Sequence, residues 1–430
     1  MPKKIIGLFL ISILALAPTW AAETLKIASV QMPVSTKIDE NLDKILGYIS
    51  QAAGQEADIV LFPETALSGF DRETIESLDW SALQDAEKKV AEAAKKNDIN
   101  VLFGSATRRE EGRPYNTAVM INREGNEIHR YHKMVPESWF EPGDHLAYFE
   151  VDGIPCSAII CHDERYPELV RLPVMKGARV CFYISYEINS IEGAVRKIEN
   201  YRSQLVARSA ENRVFMIQSN GIGGIPGKKD SGIVLGHSRF VDPSGRILVE
   251  ADPLEETMIV REIDVSQADG RYAINSRNIG PLRRFWESGL AALESGLEEP
   301  VESTPETTLL TIGQLRGVPP KWEVEKNFQT FLDMLPEASE KGVDVLITPE
   351  CWLDGYAAPD KTSTPEKLRT VAQDLDTSPY LARVAKEADE RDMYICFGFT
   401  SLEHGCIYNT AALWDRDGKL VGVYHKTHLQ

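Results

Sequence analysis

The sequence predicts an α/β fold with a largely covered sheet, on three grounds. Apolar, strand-like runs alternate with amphipathic helical stretches from Leu25 to about residue 264. Strands buried on both faces by helical layers read this way. The same order of runs starts again after residue 309, a period far too long for a solenoid and suited to a repeated domain. The composition, 43% apolar and 26% charged over 430 residues, fits a globular protein of more than one domain.

Taken in order, LKIASVQ (25–31) reads as the first strand and Asn41–Ala53 as an amphipathic helix. DIVLFPE (58–64) is a second strand, Ser81–Lys96 a second helix and VLFGSA (101–106) a third strand. NTAVMIN (116–122) and the stretch through His129–Lys133 read as a hairpin turning at Gly125. Ser157–Ile160 is the next buried strand, followed by a polar turn and a helix that Pro167 opens and that runs to Gly177. The strand VCFYIS (180–185), a helix over 193–212, the strand VFMIQSN (214–220) and further strands near 232–249 and 258–264 complete the first cycle.

Residues 1–22 stand apart. Lys3 and Lys4 precede the apolar run Ile5–Ala17, and Ala21 and Ala22 follow, the pattern of a secretory signal peptide cleaved near those alanines. A membrane anchor is the weaker reading, since the run is shorter than a bilayer needs. The expectation is an exported protein, periplasmic or secreted, with no integral membrane segment after cleavage. Its formal charge of −18 argues against non-specific affinity for nucleic acid or anionic membranes. Export gives weight to the six cysteines, Cys156, Cys161, Cys181, Cys351, Cys396 and Cys406. Cys156, Cys181 and Cys396 lie in or beside apolar runs and read as packing residues, while one disulfide stays open.

Three chemically capable residues fall at strand ends. Glu64 closes DIVLFPE, Lys133 closes the strand into RYHK, and Cys161 closes SAII. In open α/β sheets the reactive site lies beyond strand ends, so the three are expected to converge. A cysteine handed from a strand to a turn before a helix sits where backbone N–H groups can stabilise a thiolate. A carboxylate in an apolar setting, here beside Phe62 and Pro63, can act as general base toward a thiol. An ammonium can stabilise an oxyanion and lower the thiol's pKa. Each residue alone has an ordinary alternative as an inert buried cysteine or a solvated loop charge.

Together, LFPETALSGF, YHK and ICHDERYPE, in that order, resemble the nitrilase, or carbon–nitrogen hydrolase, superfamily. The likeness continues through RSQLVARSAENRVFMIQSN (202–220) and GHSRFVDPSGRILVE (236–250), so it spans about 25–265. It implies a four-layer α-β-β-α sandwich and a site that needs no metal or organic cofactor. It also implies Glu64 as general base, Lys133 as oxyanion stabiliser and Cys161 as nucleophile. A second glutamate assists in this family, and Glu137, which heads ESWFEPGD, is the candidate with Glu141 competing.

Nitrile hydrolases usually carry Cys-Trp-Glu at the nucleophile. The run from Cys161 through His162, Asp163, Glu164 and Arg165 to Glu168 is similar instead to the amidase and carbamoylase branches. His162 departs from the common pattern and is a candidate substrate contact, or serves the oxyanion through its backbone N–H alone. Tyr186 is a second candidate for the substrate pocket, and Arg165 is read as a structural partner for a nearby carboxylate. The implied activity is hydrolysis of a small amide or N-carbamoyl compound through a cysteine thioester. Acyl transfer to an amine on the same triad, and a non-catalytic binding protein that keeps the fold, are the alternatives.

The first domain is read as 23–296, its segment 266–296 resembling the family's terminal arm, which implies a homodimer. An acidic linker, LEEPVESTPETT (297–308), follows. Then the chain repeats itself. LLTIGQL (309–315) echoes LKIASVQ, and DVLITPECWLDGY (344–356) echoes DIVLFPETALSGF. YICFGFT (394–400) echoes VLFGSAT, and YNTAALWDRDGKLVGVYHK (408–426) echoes YNTAVMINREGNEIHRYHK. Glu350 and Lys426 therefore match Glu64 and Lys133, but a matching cysteine would fall near position 454, past Gln430. Cys351 adjoins the base and is no substitute. The expectation is a tandem pair whose second copy, 309–430, is truncated and leaves an apolar sheet face uncovered.

Overall fold

Alternation along each strand decides which layer a residue joins. The computed structural model describes residues 24–224, 232–276 and 309–427, together with 288 and 291. The proposed signal segment 1–22, the linker 297–308 and most of the arm 266–296 lie outside the described residues. The described residues form two compact units, one within Met1–Arg283 and the other within Arg284–Gln430.

In the first unit, one sheet collects β1 (Thr24–Gln31), β2 (Ile59–Leu61), β3 (Asn100–Thr107), β4 (Tyr115–Ile121) and β5 (Glu127–His132). The second collects β6 (Phe149–Val151), β7 (Ile154–Ile160), β8 (Val180–Ser185), β9 (Phe215–Asn220), β10 (Arg239–Val241) and β11 (Ile247–Glu250). The last strand, β12 (Thr257–Asp264), returns antiparallel to β1, giving the orders β12-β1-β2-β3-β4-β5 and β11-β10-β9-β8-β7-β6. Each sheet has three parallel strands at its centre, β1–β3 and β7–β9, and antiparallel neighbours outside them.

Leu25, Ile27, Ile59 and Leu61 face Ile160, Phe182, Ile184 and Ile217 in the core between the two sheets. Their strand neighbours Ala28, Val30 and Val60 point the other way, onto Ile45 and Ile49 of helix α1 (Ile38–Gly54) and Val90 of α3 (Trp80–Asn97). The short α2 (Arg72–Glu76) lies between them in sequence. On the far side, Ile159, Cys181, Tyr183 and Met216 pack on Val170 of α4 (Pro167–Lys176) and Leu205 of α5 (Ile191–Asn212). The result is the expected four-layer α-β-β-α sandwich. Each core aliphatic taken out of water contributes about 1.5–3 kcal/mol.

Several elements differ from the sequence reading. The strand expected over 58–64 ends at Leu61. Phe62 N–H still bonds Leu102 O, but Pro63 has no N–H to continue the ladder. Glu64 is thereby released from the sheet. Helix α5 starts at Ile191, two residues early, because Ser190 Oγ accepts from Gly193 N–H as its cap. Of the strands expected near 232–249, only β10 and β11 form; Ile233 and Val234 make isolated bridges. The elements β6 and α2 were not anticipated. All six cysteines are free.

The second unit repeats the first sheet's topology. Strands β13 (Ile312–Gln314), β14 (Val345–Ile347), β15 (Tyr394–Glu403), β16 (Cys406–Trp414) and β17 (Leu420–His425) lie in sequence order. Two parallel pairings are followed by two antiparallel ones. Helices Val324–Glu340 and Pro379–Glu390 cover one face, where Phe331, Leu335 and Val384 pack with Phe397 of β15. No described sheet covers the other. Ile347 and Tyr424 are 37% and 61% exposed where their counterparts Leu61 and Tyr131 are 0% and 1%. Among the described residues, the second copy has two of the four layers. No described helix is long and apolar enough to cross a membrane.

Candidate active site

Two reversals at the β3–β4 and β4–β5 turns make β5 run parallel to β3. The ends of β2 and β5 therefore open at the same edge of the first sheet, and β7 delivers Cys161 from the facing sheet. The three strand-end residues converge as the sequence reading expected.

Glu64 sits in the turn after β2, where Gly104 gives it room: a Cβ there would fall 2.1 Å from Thr65 N. Thr65 takes a left-handed φ of 50°, and Cys161 one of 45°. Both are strained for residues with side chains, at about 1 kcal/mol or more each. The Cys161–Arg165 segment is a 3₁₀ turn, which explains why a polar turn could be read there. Asp163 locks it. Its Oδ2 accepts from Ile160 N–H (3.1 Å) and the Tyr131 hydroxyl (2.8 Å), and its Oδ1 from Val135 N–H (3.1 Å). The carboxylate thus ties the cysteine turn to the loop that carries Lys133.

Glu64 and Lys133 are fully buried. Glu64 Oε1 accepts from Lys133 Nζ (2.6 Å) and Asn116 Nδ2 (2.7 Å), and Oε2 from the Tyr186 main-chain N–H (2.8 Å). Lys133 Nζ also donates to Glu137 Oε1 at 2.8 Å. Glu141, the competitor, is engaged elsewhere, 3.6 Å from Arg109 and 3.1 Å from Arg113. The second glutamate at the site is Glu137. Its Oε2 is buried and has no hydrogen-bond partner among the described residues. One ligand-type atom each from Glu64, Glu137 and Cys161 lies within 4.8 Å of the others. The positive charge that the buried Glu64 and the partly buried Glu137 call for is supplied by Lys133.

Burial pushes the Glu64 carboxyl up to about 7, with Glu137 adding to it and Lys133 opposing. For Lys133, burial alone would lower the pKa, but Glu64, Cys161 and Glu137 raise it well above the ordinary lysine value, so it stays an ammonium. Burial and then Glu64 push the Cys161 thiol well up, against a downward pull from Lys133. Lys133 thus lowers the thiol's pKa as expected, while burial, the larger influence, raises it. A thiol raised in this way beside a carboxyl raised to about 7 suits proton transfer during attack.

His162 is partly buried, and burial, Lys133 and Arg165 lower its pKa to about 4, leaving a neutral imidazole. Tyr186 reaches the site through its backbone, while its ring packs on Phe70 with centroids 5.0 Å apart. Arg165 Nε lies 3.7 Å from Glu164, the structural pairing expected of it. Asn116 and Asp163 were missed as site residues. For Asn116 a signal existed, because YNTA occurs in both copies and Asn409 donates to Glu350 Oε1 at 2.6 Å in the second.

A family model described as carbon-nitrogen hydrolase matches residues 26–271 and 309–430. Over 249 residues the chain is 30% identical to a 2-oxoglutaramate amidase of Bacillus subtilis, covering 56% of this chain and 92% of that protein. It is 32% identical over 236 residues to an (R)-stereoselective amidase of a Pseudomonas species, covering 53% of this chain and 80% of that protein. Among solved structures, a cysteine-to-alanine mutant of a Nesterenkonia amidase from the nitrilase superfamily matches with a TM-score of 0.53 at 21% identity. The match covers 62% of this chain and 98% of that one, and it supports the fold.

Proposed function

The chain belongs to the carbon–nitrogen hydrolase family, and on that premise we propose that Glu64, Lys133 and Cys161 hydrolyse a small amide or N-carbamoyl compound through a thioester. Glu64 takes the thiol proton as Cys161 Sγ bonds to the carbonyl carbon. The carbonyl oxygen becomes an oxyanion held by the Lys133 ammonium and the His162 main-chain N–H. On collapse the carbon–nitrogen bond breaks, Glu64 returns its proton to the leaving nitrogen, and ammonia or an amine departs. A water then gives its proton to Glu64 and attacks the thioester, releasing the acid and restoring the thiol. Glu137, with its unpartnered Oε2, is placed to accept a hydrogen bond from the substrate's N–H₂ group.

The observation that carries this reading is the buried ammonium of Lys133 bridging two carboxylates beside Cys161. The relatives act on amides, which favours an amide over a nitrile. Export is part of the proposal on the strength of residues 1–22 alone. The test is Cys161→Ala, assayed for ammonia release over aliphatic amides, ω-amides and carbamoyl amines. The variant is expected to fold and to lose turnover altogether. Retained turnover would sink the assignment.

A further inference from the structure

We propose that the main-chain N–H of Tyr186, fixed by the ring's seat between Phe70 and Gly221, positions Glu64 to receive the proton of Cys161. The inference rests on Glu64 being the base.

A carboxylate offers about four lone-pair sites, two on each oxygen. On Glu64, Oε1 uses both of its own, for Lys133 Nζ and Asn116 Nδ2. Oε2 has one donor, the Tyr186 N–H at 2.8 Å. The open acceptor position is therefore the second lone pair of Oε2, and the Tyr186 N–H fixes the direction in which it points. A base for a thiol works only when that lone pair meets the S–H bond, and misplacement near 1 Å costs on the order of 100-fold in rate.

What holds the amide is the tyrosine's own ring. Tyr186 directly follows β8, and its ring is 1% exposed in a cluster with Val34, Phe70 and Val234. Trp139 closes this cluster, its ring 5.9 Å from that of Phe70 and nearly perpendicular to it. On the other side the ring meets Gly221, which directly follows β9 and donates its N–H to Ser185 O. A Cβ at Gly221 would fall 2.4 Å from Tyr186 Cδ2 and 2.7 Å from Cε2, contacts that real atoms do not make. Gly221 is not among the residues with positive φ, so an alanine is compatible with its backbone. The obstacle is the ring alone. This makes Gly221→Ala a steric lever on the Glu64 hydrogen bond, although residue 221 touches neither Glu64 nor Cys161 in any contact described.

The experiment measures kcat, KM and the pH dependence of kcat/KM for amide hydrolysis by the full chain. Gly221→Ala is expected to lower kcat about 10- to 100-fold with KM little changed. The acid limb of the profile, set on this reading by a carboxyl that burial raises to about 7, is expected to move upward because the carboxylate has lost a donor. In the double variant Gly221→Ala/Tyr186→Val the atoms Cδ2 and Cε2 that the alanine would meet are gone, so it is expected to match Tyr186→Val alone. A Gly221→Ala enzyme with the parent's kcat and acid limb, or a double variant as far below Tyr186→Val as Gly221→Ala is below the parent, overturns the proposal. If Gly221→Ala does not fold, Tyr186→Val alone carries the test: kcat falls and the limb rises, and an unmoved limb overturns it. Glu64→Gln, measured in parallel, separates the two levels. If it keeps its rate, the base assignment itself fails. If it is inactive while Gly221→Ala behaves as the parent, only the positioning role falls.

Discussion

Replacing Glu164 with glutamine is expected to stabilise this protein at high pH and to do little at low pH. Glu164 lies three residues after Cys161 and is 1% exposed. Neither of its carboxyl oxygens has a hydrogen-bond partner among the described residues. The nearest cation is Arg165, with Nε at 3.7 Å and a side chain that is 43% exposed. Nearby Glu187 is also buried and accepts from the Tyr183 hydroxyl at 2.7 Å. Burial first, then Glu187, raises the Glu164 carboxyl from its ordinary 4.5 to about 8, against Arg165. The folded state thus binds a proton more tightly than the unfolded chain. The stability linked to that proton is fully present below the ordinary value and is lost as pH rises through about 8. At about 1.4 kcal/mol per pH unit, the gap sets a ceiling of ~5 kcal/mol, which relaxation and water entry reduce to about half that in practice.

Glutamine keeps the shape of the neutral acid and cannot ionise. The Glu164→Gln protein is expected to match the parent within about 0.5 kcal/mol at pH 5 and to exceed it by about 2–3 kcal/mol at pH 9. The assay is urea unfolding at pH 5, 7 and 9. It is followed by circular dichroism and by loss of amide turnover, so that the first unit's transition is distinguished from the second's. A stability difference that does not change with pH would refute the reasoning, and so would a variant less stable than the parent at pH 9.

Two further outcomes follow from the site's construction. Asp163→Ala leaves the Tyr131 hydroxyl and the N–H groups of Ile160 and Val135 without their acceptor. It is expected to cost about 3 kcal/mol and several degrees in thermal denaturation, where an unchanged melting temperature would remove its tie between turn and loop. Glu350→Gln and Lys426→Met, in the second unit, are expected to leave ammonia release by the full chain unchanged. A loss above about threefold, with the fold intact, would give the second unit a part in turnover.

Much of this was readable in the chain because strands covered on both faces are near-continuous apolar runs. The runs of β1, β2 and β7, set between helical stretches, told which strands are buried, and the ends of β2, β5 and β7 told where Glu64, Lys133 and Cys161 would meet. Other features have no one-dimensional trace. The choice between Glu137 and Glu141 turns on which carboxylate Lys133 reaches and which one Arg109 and Arg113 take. The Tyr186 contribution is a backbone N–H, which every residue but proline has, so its identity gave no hint. The positive φ at Thr65 and Cys161 is equally silent, because neither is glycine. The setting of the thiol is silent for the same kind of reason. The ammonium that lowers the cysteine's pKa was visible, but the burial that opposes it belongs to the facing sheet.

The second unit isolates that last effect. Its Lys426 and Asn409 donate to Glu350 Oε1 at 2.7 and 2.6 Å, nearly the distances made by Lys133 and Asn116 to Glu64 Oε1. The same three residue types stand in the same connectivity, yet the glutamates titrate in opposite directions. Glu350 is lowered, first by the Lys426 hydrogen bond, while Glu64 is raised, first by burial. The side chains of Lys426 and Glu350 are 31% and 46% exposed, and those of Lys133 and Glu64 are 0%. A carboxylate held low beside an exposed ammonium is a weak base, whereas one held near neutrality can take a thiol's proton and return it to a leaving nitrogen. On the proposed mechanism, what would make a base of Glu64 is therefore not its lysine or its asparagine. It is the second sheet, β6 to β11, which excludes water from the pair and brings the cysteine with it on β7.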